Sequence, residues 1–244
     1  MNSKTALVTG ATSGIGKAIA LELARKGWQI SFCGRRQKNI DAVKKSISEI
    51  GGEVLGVEAD LTKPEDLRRF FAESRERFGG IDALINNAGI GYASSFLEGD
   101  PDQWKQMIDL NIFALCLCTQ EALRWMREND SGHIIHVSSM SAHRVPGTGV
   151  YSATKHAVRA LGESLRLELR GLDSKIRVSM VSPGFVETDF FETYTGSKEK
   201  AKATYSAQKC LEAADIARTV AFCLESPPHM QIHDILVRPT EQKS

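Results

Sequence analysis

Short apolar runs alternate along the whole chain with longer stretches whose apolar positions recur every three or four residues. The first pattern reads as buried strands and the second as amphipathic helices. A strand over Thr5 to Thr9 leads to a helix over Ile15 to Lys26, stopped by Gly27. Next come a strand at Gln29 to Cys33, a helix from about Asn39 to Ile50 closed by Gly51-Gly52, and a strand at Glu53 to Val57. Pro64, suited to a first turn, opens a helix to Phe78. A strand at Ile81 to Ile85 precedes a long helix from Pro101 to about Glu128. A strand at His133 to Val137, a helix at Tyr151 to Arg170 and a strand at Ile176 to Val181 follow. Short helical patterns at Glu199 to Lys209 and Ala213 to Leu224 lie before a last strand at about Ile232 to Val237.

This alternation predicts an α/β fold of the Rossmann type, a doubly wound parallel sheet of about seven strands with helices on both faces. No repeat, low-complexity stretch or proline/serine-rich linker divides residues 1–244, which predicts one domain. Residues 187–209, rich in aromatic and polar side chains, are the expected insertion and read as a substrate lid. In open α/β sheets the ligand lies beyond the carboxyl ends of the strands. Those ends are where the chemistry should be sought.

Composition narrows the classes. Hydrophobic content of 42% and charged content of 25% fit a globular protein with a buried core. A net charge of +1 provides no general field for nucleic acid or acidic membranes. The opening MNSKTALVTG lacks a signal peptide's apolar run, and Ile112 to Cys118 is far shorter than the ~20 residues of a membrane span. Five cysteines, an odd number without a CxxC pair, are expected as buried reduced thiols. A cytoplasmic protein is expected. His133 and His136, three apart on a strand, face opposite sides, and no other histidines suggest a metal site.

Gly10, Gly14 and Gly16 form a G-x3-G-x-G spacing between the first strand and its helix. Glycines there permit a tight turn and close approach of a pyrophosphate, with free N–H groups at the helix start, Ile15 among them, facing the anion. Thr12 and Ser13 add hydroxyl donors. A plain glycine-rich turn is the competing reading. Strand two ends in Cys33-Gly34-Arg35-Arg36, with no acidic residue before Asp41. A carboxylate at that position would hold the ribose hydroxyl of NAD, whereas arginine accommodates the 2′-phosphate of NADP. NADP(H) is therefore the expected cofactor, against solvated loop charges. Asp60, followed by Leu61, either accepts from an adenine amino group or caps the helix begun at Pro64. Asn86 and Asn87 precede Ala88-Gly89, small residues that admit a cofactor ribose.

Tyr151 and Lys155 stand four apart in YSATK, so phenol and ammonium share a helix face. At ~4 Å and an effective dielectric of ~20 their interaction is worth about 4 kcal/mol, enough to draw the phenol toward neutrality. Such a tyrosine serves as a general acid or base. Ser138 and Ser139 end the fifth strand, and a hydroxyl there can donate to a developing oxyanion. Alternation puts one of them in the pocket without saying which. Asn111, in an apolar helix, needs backbone or water partners and reads either as a polar plug or as part of a proton relay. Pro183-Gly184 and Phe185 to Thr188, Val186 and Thr188 in particular, are placed to close over a nicotinamide. Phe190, Phe191 and Tyr194 read as an apolar substrate wall or as core.

In order, TGATSGIG, Asp60-Leu61, NNAG, Asn111, Ser138-Ser139, YSATK and Pro183-Gly184 resemble the short-chain dehydrogenase/reductase family in its single-domain form, over essentially the whole chain. The resemblance implies a catalytic tetrad of Asn111, one serine, Tyr151 and Lys155, with Tyr151 and Lys155 also touching the cofactor. The second serine of the pair usually carries catalysis in the family, which implies Ser139. The gap to Tyr151 is one residue shorter than usual and leaves Ser138 open. GHIIHVSSMSAHRVPG and DILVRPTEQ are similar to NADP-dependent carbonyl reductases of the 17β-hydroxysteroid/farnesol dehydrogenase-like subgroup. A small alcohol or carbonyl substrate and a homodimer or homotetramer are implied. The ending departs from the family's glycine-rich tail, so contacts usually formed by the last strand stay open. An NADP-binding sensor or scaffold without turnover, and a reductase of a 3-oxoacyl or hydroxy-acid substrate, are the alternatives.

Overall fold

The computed structural model describes residues 3–147 and 149–242. Its strands are β1 (Thr5–Val8), β2 (Gln29–Gly34), β3 (Val54–Glu58), β4 (Ala83–Asn86), β5 (His133–Val137), β6 (Arg177–Pro183) and β7 (Asp234–Val237). The helices are α1 (Gly14–Arg25), α2 (Gln37–Glu49), α3 (Pro64–Phe78), α4 (Pro101–Ile108), α5 (Leu115–Met126), α6 (Val150–Gly171), α7 (Phe190–Thr195), α8 (Lys198–Ser206) and α9 (Ala213–Glu225). All strands pair in parallel in the order β3-β2-β1-β4-β5-β6-β7. The order reverses between β1 and β4, where Ala6 pairs with Ala83 and Val8 with Ile85. The loops leaving these two strands diverge there and open a crevice.

Every residue of β1 and β5 is buried because helices cover both faces of the sheet. On one face Ile19 and Leu23 of α1, Ile40 and Ile47 of α2 and Val220 of α9 pack with Val8, Ile30, Ile85 and Ile135. On the other, Phe70 and Phe71 of α3, Cys118 of α5 and Leu165 of α6 pack with Leu7, Leu84, Ile134 and Val178. Each such large side chain contributes roughly 1.5–3 kcal/mol through burial.

The long helix expected from Pro101 is divided. Asp109–Ala114 forms a π-helical turn between α4 and α5, and α5 ends at Met126. The wider turn carries Asn111, whose amide bonds a neighbouring loop. The single pattern at Glu199 to Lys209 becomes α8, ending at Ser206, with α7 before it. Six residues are too few for α7 to show a helical period. β6 extends to Pro183 because β7 pairs with it as far as Pro183–Val237. α2 begins at Gln37 instead of Asn39.

Cys33, Cys118 and Cys223 are buried free thiols, but Cys116 and Cys210 are only half-buried, contrary to expectation. His133 Nε2 meets Ser179 Oγ at 2.8 Å and His136 Nδ1 meets the Asn86 amide at 3.1 Å. Burial lowers their pKa values to about 3 and about 4, so both are neutral core groups. Among the described residues no group of His, Cys, Asp or Glu could hold a metal ion, and no helix is long and apolar enough to cross a membrane.

Candidate active site

The turn from β1 into α1 is in close contact with the loop after β4. Gly10 has φ +66°, and a Cβ there would stand 2.9 Å from Ala88 Cα. A Cβ on Gly16 would meet Asn87 Nδ2 at 2.4 Å. Both positions therefore need bare backbone. Asn87 Nδ2 donates to Thr9 O at 2.9 Å and Gly10 O at 3.2 Å, while Thr9 Oγ1 accepts from the N–H groups of Asn87 and Ala88. Asn87 is thus a brace for the glycine turn. Thr9, read from sequence as the strand's last residue, fastens the two loops. No side chain caps the start of α1 and no acidic residue lies in its first turn, which leaves N–H groups free for an anion.

These loops border a cleft of about 780 Å³. Gly10, Thr12, Ser13, Gly14, Ile15 and Gly16 line it, with Arg35, Arg36, Asp60 and Leu61. Asn87, Ala88, Gly89, Pro183, Gly184, Val186 and Thr188 line it as well, and so do Ser139, Tyr151 and Lys155. Both arginines are exposed, and Asp41, the first acidic residue after them, is bonded to Gln37. Asp60 does not cap α3, whose flanking residue is Lys63. Its Oδ1 instead accepts from Thr62 N at 3.1 Å and Thr62 Oγ1 at 2.7 Å, which shapes the turn at the cleft wall.

Tyr151 and Lys155 lie one turn apart at the start of α6, with Lys155 Nζ 5.9 Å from the centre of the phenol ring. The ammonium is buried and donates to Val137 O at 3.3 Å. Burial brings its pKa down to about 8. Desolvation pushes the Tyr151 phenol well above its usual value; the Ser139 hydroxyl opposes that shift and Tyr194 adds to it. The expected depression of the tyrosine is therefore absent. The ammonium is engaged by a main-chain carbonyl, and the cost of burying a phenolate prevails.

Ser138 and Ser139 both border the cleft, because the chain leaves the sheet after Val137 and strand alternation ends there. Ser139 faces Tyr151, and its Oγ accepts from Ser141 N at 3.1 Å. Ser138 Oγ is buried without a protein partner. Asn111 is the one predicted site residue that does not line the cleft. Its Oδ1 accepts from Ile90 N at 2.8 Å, and its Nδ2 donates to Ile90 O at 2.8 Å and to Thr154 Oγ1 at 3.1 Å. A Cβ on Gly89 would meet Asn111 Oδ1 at 3.3 Å and Lys155 Nζ at 3.6 Å, so the amide braces the loop beside the lysine. The rings of Phe190 and Tyr194 lie 5.5 and 5.8 Å from that of Tyr151. Phe191 contacts Phe185 and Tyr205 at 5.5 and 5.8 Å.

Residues 4–199 match the family model described as short chain dehydrogenase. The chain is 44% identical to dehydrogenase/reductase SDR family member 11 of Bos taurus, over 98% of this chain and 97% of the relative. It is 36% identical to farnesol dehydrogenase of Aedes aegypti, over 98% and 97%. The closed form of a serine dehydrogenase complexed with NADP+ superposes with a TM-score of 0.92 at 30% identity, over 98% of this chain and 96% of that one. An alcohol dehydrogenase from the archaeon Thermococcus sibiricus, complexed with 5-hydroxy-NADP, gives 0.86 at 27% identity, over 99% of each. With its sheet order, its crevice and the tyrosine–lysine turn, the chain belongs to the short-chain dehydrogenase family of oxidoreductases.

Proposed function

We propose that the protein is an NADP(H)-dependent dehydrogenase/reductase that interconverts primary or secondary alcohols with aldehydes or ketones. The observation that carries this reading is the convergence of Ser139, Tyr151 and Lys155 on a cleft that also holds a bare glycine turn and two arginines. These residues fit the cofactor. Gly10 and Gly16 leave room for a pyrophosphate at the uncapped start of α1, and Arg35 and Arg36 suit a 2′-phosphate. The serine dehydrogenase and alcohol dehydrogenase neighbours carry NADP+ and a hydroxylated NADP, which supports the same choice. When bound, the nicotinamide group supplies the hydride chemistry.

The chain's own residues do the rest. Asp60 and Leu61 would meet the adenine, Ala88 and Gly89 the ribose, and the segment from Pro183 through Val186 to Thr188 would border the nicotinamide. Tyr151, with its pKa raised, is protonated at neutral pH and suited to protonate the alkoxide formed in carbonyl reduction. Ser139 donates to the same oxygen. Lys155 would hold the ribose hydroxyls and return a proton to the phenol. The Asn111 amide is engaged by Ile90 and Thr154, so Asn111 supports Lys155 by bracing the loop beside it. Residues 187–209 serve as the lid of a single domain spanning 1–244, in a homodimer or homotetramer acting on small alcohols and carbonyls in the cytoplasm.

The test is NADPH consumption across steroids, terpenoid carbonyls, diketones, 3-oxoacyl esters and the keto forms of hydroxy acids, beside direct measurement of NADPH binding. Turnover that falls ~10²–10⁴-fold in Tyr151→Phe while binding persists supports the reading. Binding without turnover of any compound would mark a cofactor sensor instead.

A further inference from the structure

The carboxyl-terminal tail inserts a buried amide beneath the active site. Gln242 is only 6% exposed and borders the cleft. Its Oε1 accepts the N–H of Phe185 at 3.0 Å, and its Nε2 is directed at Met140 Sδ. Its main-chain N–H donates to Pro239 O at 3.1 Å and its carbonyl accepts from Arg238, so a tight turn after β7 aims the side chain inward. The two groups it joins are informative. Phe185 follows Pro183-Gly184 in the segment leading to α7, and Met140 follows Ser139. The fit is close enough to dictate a neighbour, since a Cβ on Gly184 would stand 2.3 Å from Gln242 Oε1.

Building on the reductase reading above, we propose that Gln242 is a positioning residue. Its amide fixes the root of α7 relative to the Ser139–Met140 turn, and so sets where Phe190 and Tyr194 stand over Tyr151. The strand ladder alone does not do this. Pairing of β6 with β7 ends at Pro183, and Gly184 N donates to Val237 O at 2.7 Å as the last main-chain link between them. Beyond that point Phe185 N has the glutamine oxygen as its acceptor. Without it the half-buried Phe185 N–H loses its acceptor, and the hold on this segment falls to Leu211, whose N–H donates to Phe185 O at 3.0 Å and whose O accepts from Glu187 N at 2.9 Å. Tyr151 and Lys155 keep their own anchors in α6, and Ser139 keeps its place through Ser138 N–H to Val181 O at 2.8 Å and Ala142 N–H to Ser139 O at 2.9 Å. The loss should therefore appear in substrate capture before it appears in the chemical step.

Three substitutions separate the contacts. Gln242→Met keeps the length and volume but has no oxygen for Phe185; Gln242→Glu keeps an acceptor and loses the donor; Gln242→Ala removes both. Two readouts are needed: amide hydrogen exchange of the peptide spanning 185–195, and kcat and KM for a carbonyl substrate found in the NADPH screen. In Gln242→Met, exchange at Phe185 should rise and KM should rise about tenfold with little change in kcat, the scale of one lost hydrogen bond. Gln242→Glu should restore protection at Phe185. Wild-type exchange in Gln242→Met overturns the proposal, and so does faster exchange with unchanged KM, since the contact would then be structural alone. If the wild type reduces no carbonyl, the functional reading falls, while exchange at Phe185, which needs no substrate, still decides whether the tail anchors this segment.

Discussion

Gly34 ends β2 directly against Thr12 of the glycine turn: a Cβ at Gly34 would stand 2.3 Å from Thr12 Cγ2 and 3.2 Å from its Oγ1. The relationship governs how cofactor choice can be tested. Introducing an acidic residue at the strand end is the direct way to favour NADH. Here Gly34→Asp alone should weaken both cofactors, because it displaces Thr12. Paired with Thr12→Ala, which removes both crowding atoms, the aspartate should fit and shift preference toward NADH. Arg35→Ser is the simpler subtraction. A charge-assisted hydrogen bond is worth ~1.5–3 kcal/mol, so NADPH affinity should fall roughly ten- to hundredfold while NADH affinity holds. Kd values for both cofactors decide it; equal losses would return Arg35 to the solvent.

The two serines should separate by kind of effect. Ser139 faces Tyr151, so Ser139→Ala should lower kcat by ~10²–10³-fold, the usual consequence of removing one oxyanion donor. Ser138 Oγ is buried without a protein partner, and its removal relieves an unsatisfied group. Ser138→Ala should thus leave Tm unchanged or higher and reduce kcat far less. Kinetics and thermal unfolding of both variants provide the comparison, and the opposite ranking in kcat would move the catalytic role to Ser138.

Most of the fold and of the cleft lining was legible because both arise from local pattern. The strand-to-helix alternation, the glycines of the first turn and the Tyr151–Lys155 spacing each depend on residues close in sequence. What was not legible depends on distant partners. Gln242 acquires a role only because β7 returns beside β6, and Thr9 only because the loop after β4 crosses the first turn. Asn111 was visible as an oddity, but its partners Ile90 and Thr154 come from elsewhere in the chain. The direction of the Tyr151 shift depends on distant partners too. Helical spacing reveals the charged neighbour but not the burial, which dominates here.

Asn111 makes a stability prediction of its own. Asn111→Leu, which matches the heavy-atom shape, strands Ile90 N and Ile90 O in the half-buried loop, while Thr154 Oγ1 keeps its bond to Tyr151 O. Each orphaned polar group costs about 1–3 kcal/mol, and relaxation or water will recover part of the sum. A loss of about 2–5 kcal/mol in urea unfolding is expected. Asn111→Asp, which keeps an acceptor for Ile90 N, should lose less. A Leu variant as stable as the wild type would show that the loop after β4 is held by other contacts.

Lys155 should make the cofactor-free protein more stable on the alkaline side of neutrality. Its pKa is 10.5 in an ordinary setting and about 8 in the folded site, lowered by burial. Below pH 8 both states carry the proton, and the folded state bears the full cost of a buried ammonium. Between 8 and 10.5 the unfolded chain binds more protons than the folded one, so stability rises with pH across that window. At about 1.36 kcal/mol per unit, the shift amounts to about 3 kcal/mol. Tyr151 acts in the other direction: its raised pKa lowers stability once the unfolded phenol ionises, above about 10. The buried thiols Cys33 and Cys223 also oppose the rise above about 9, because only their unfolded forms ionise there. Wild type and Lys155→Met share those contributions, so their difference isolates the lysine. Lys155→Met should be the more stable protein at pH 7 by up to about 3 kcal/mol, and the gap should close as pH approaches 10. Urea unfolding of both proteins at pH 7, 8, 9 and 10 measures the gap. A constant difference across the series would show that the ammonium is solvated, or moves out to solvent, before the cofactor binds.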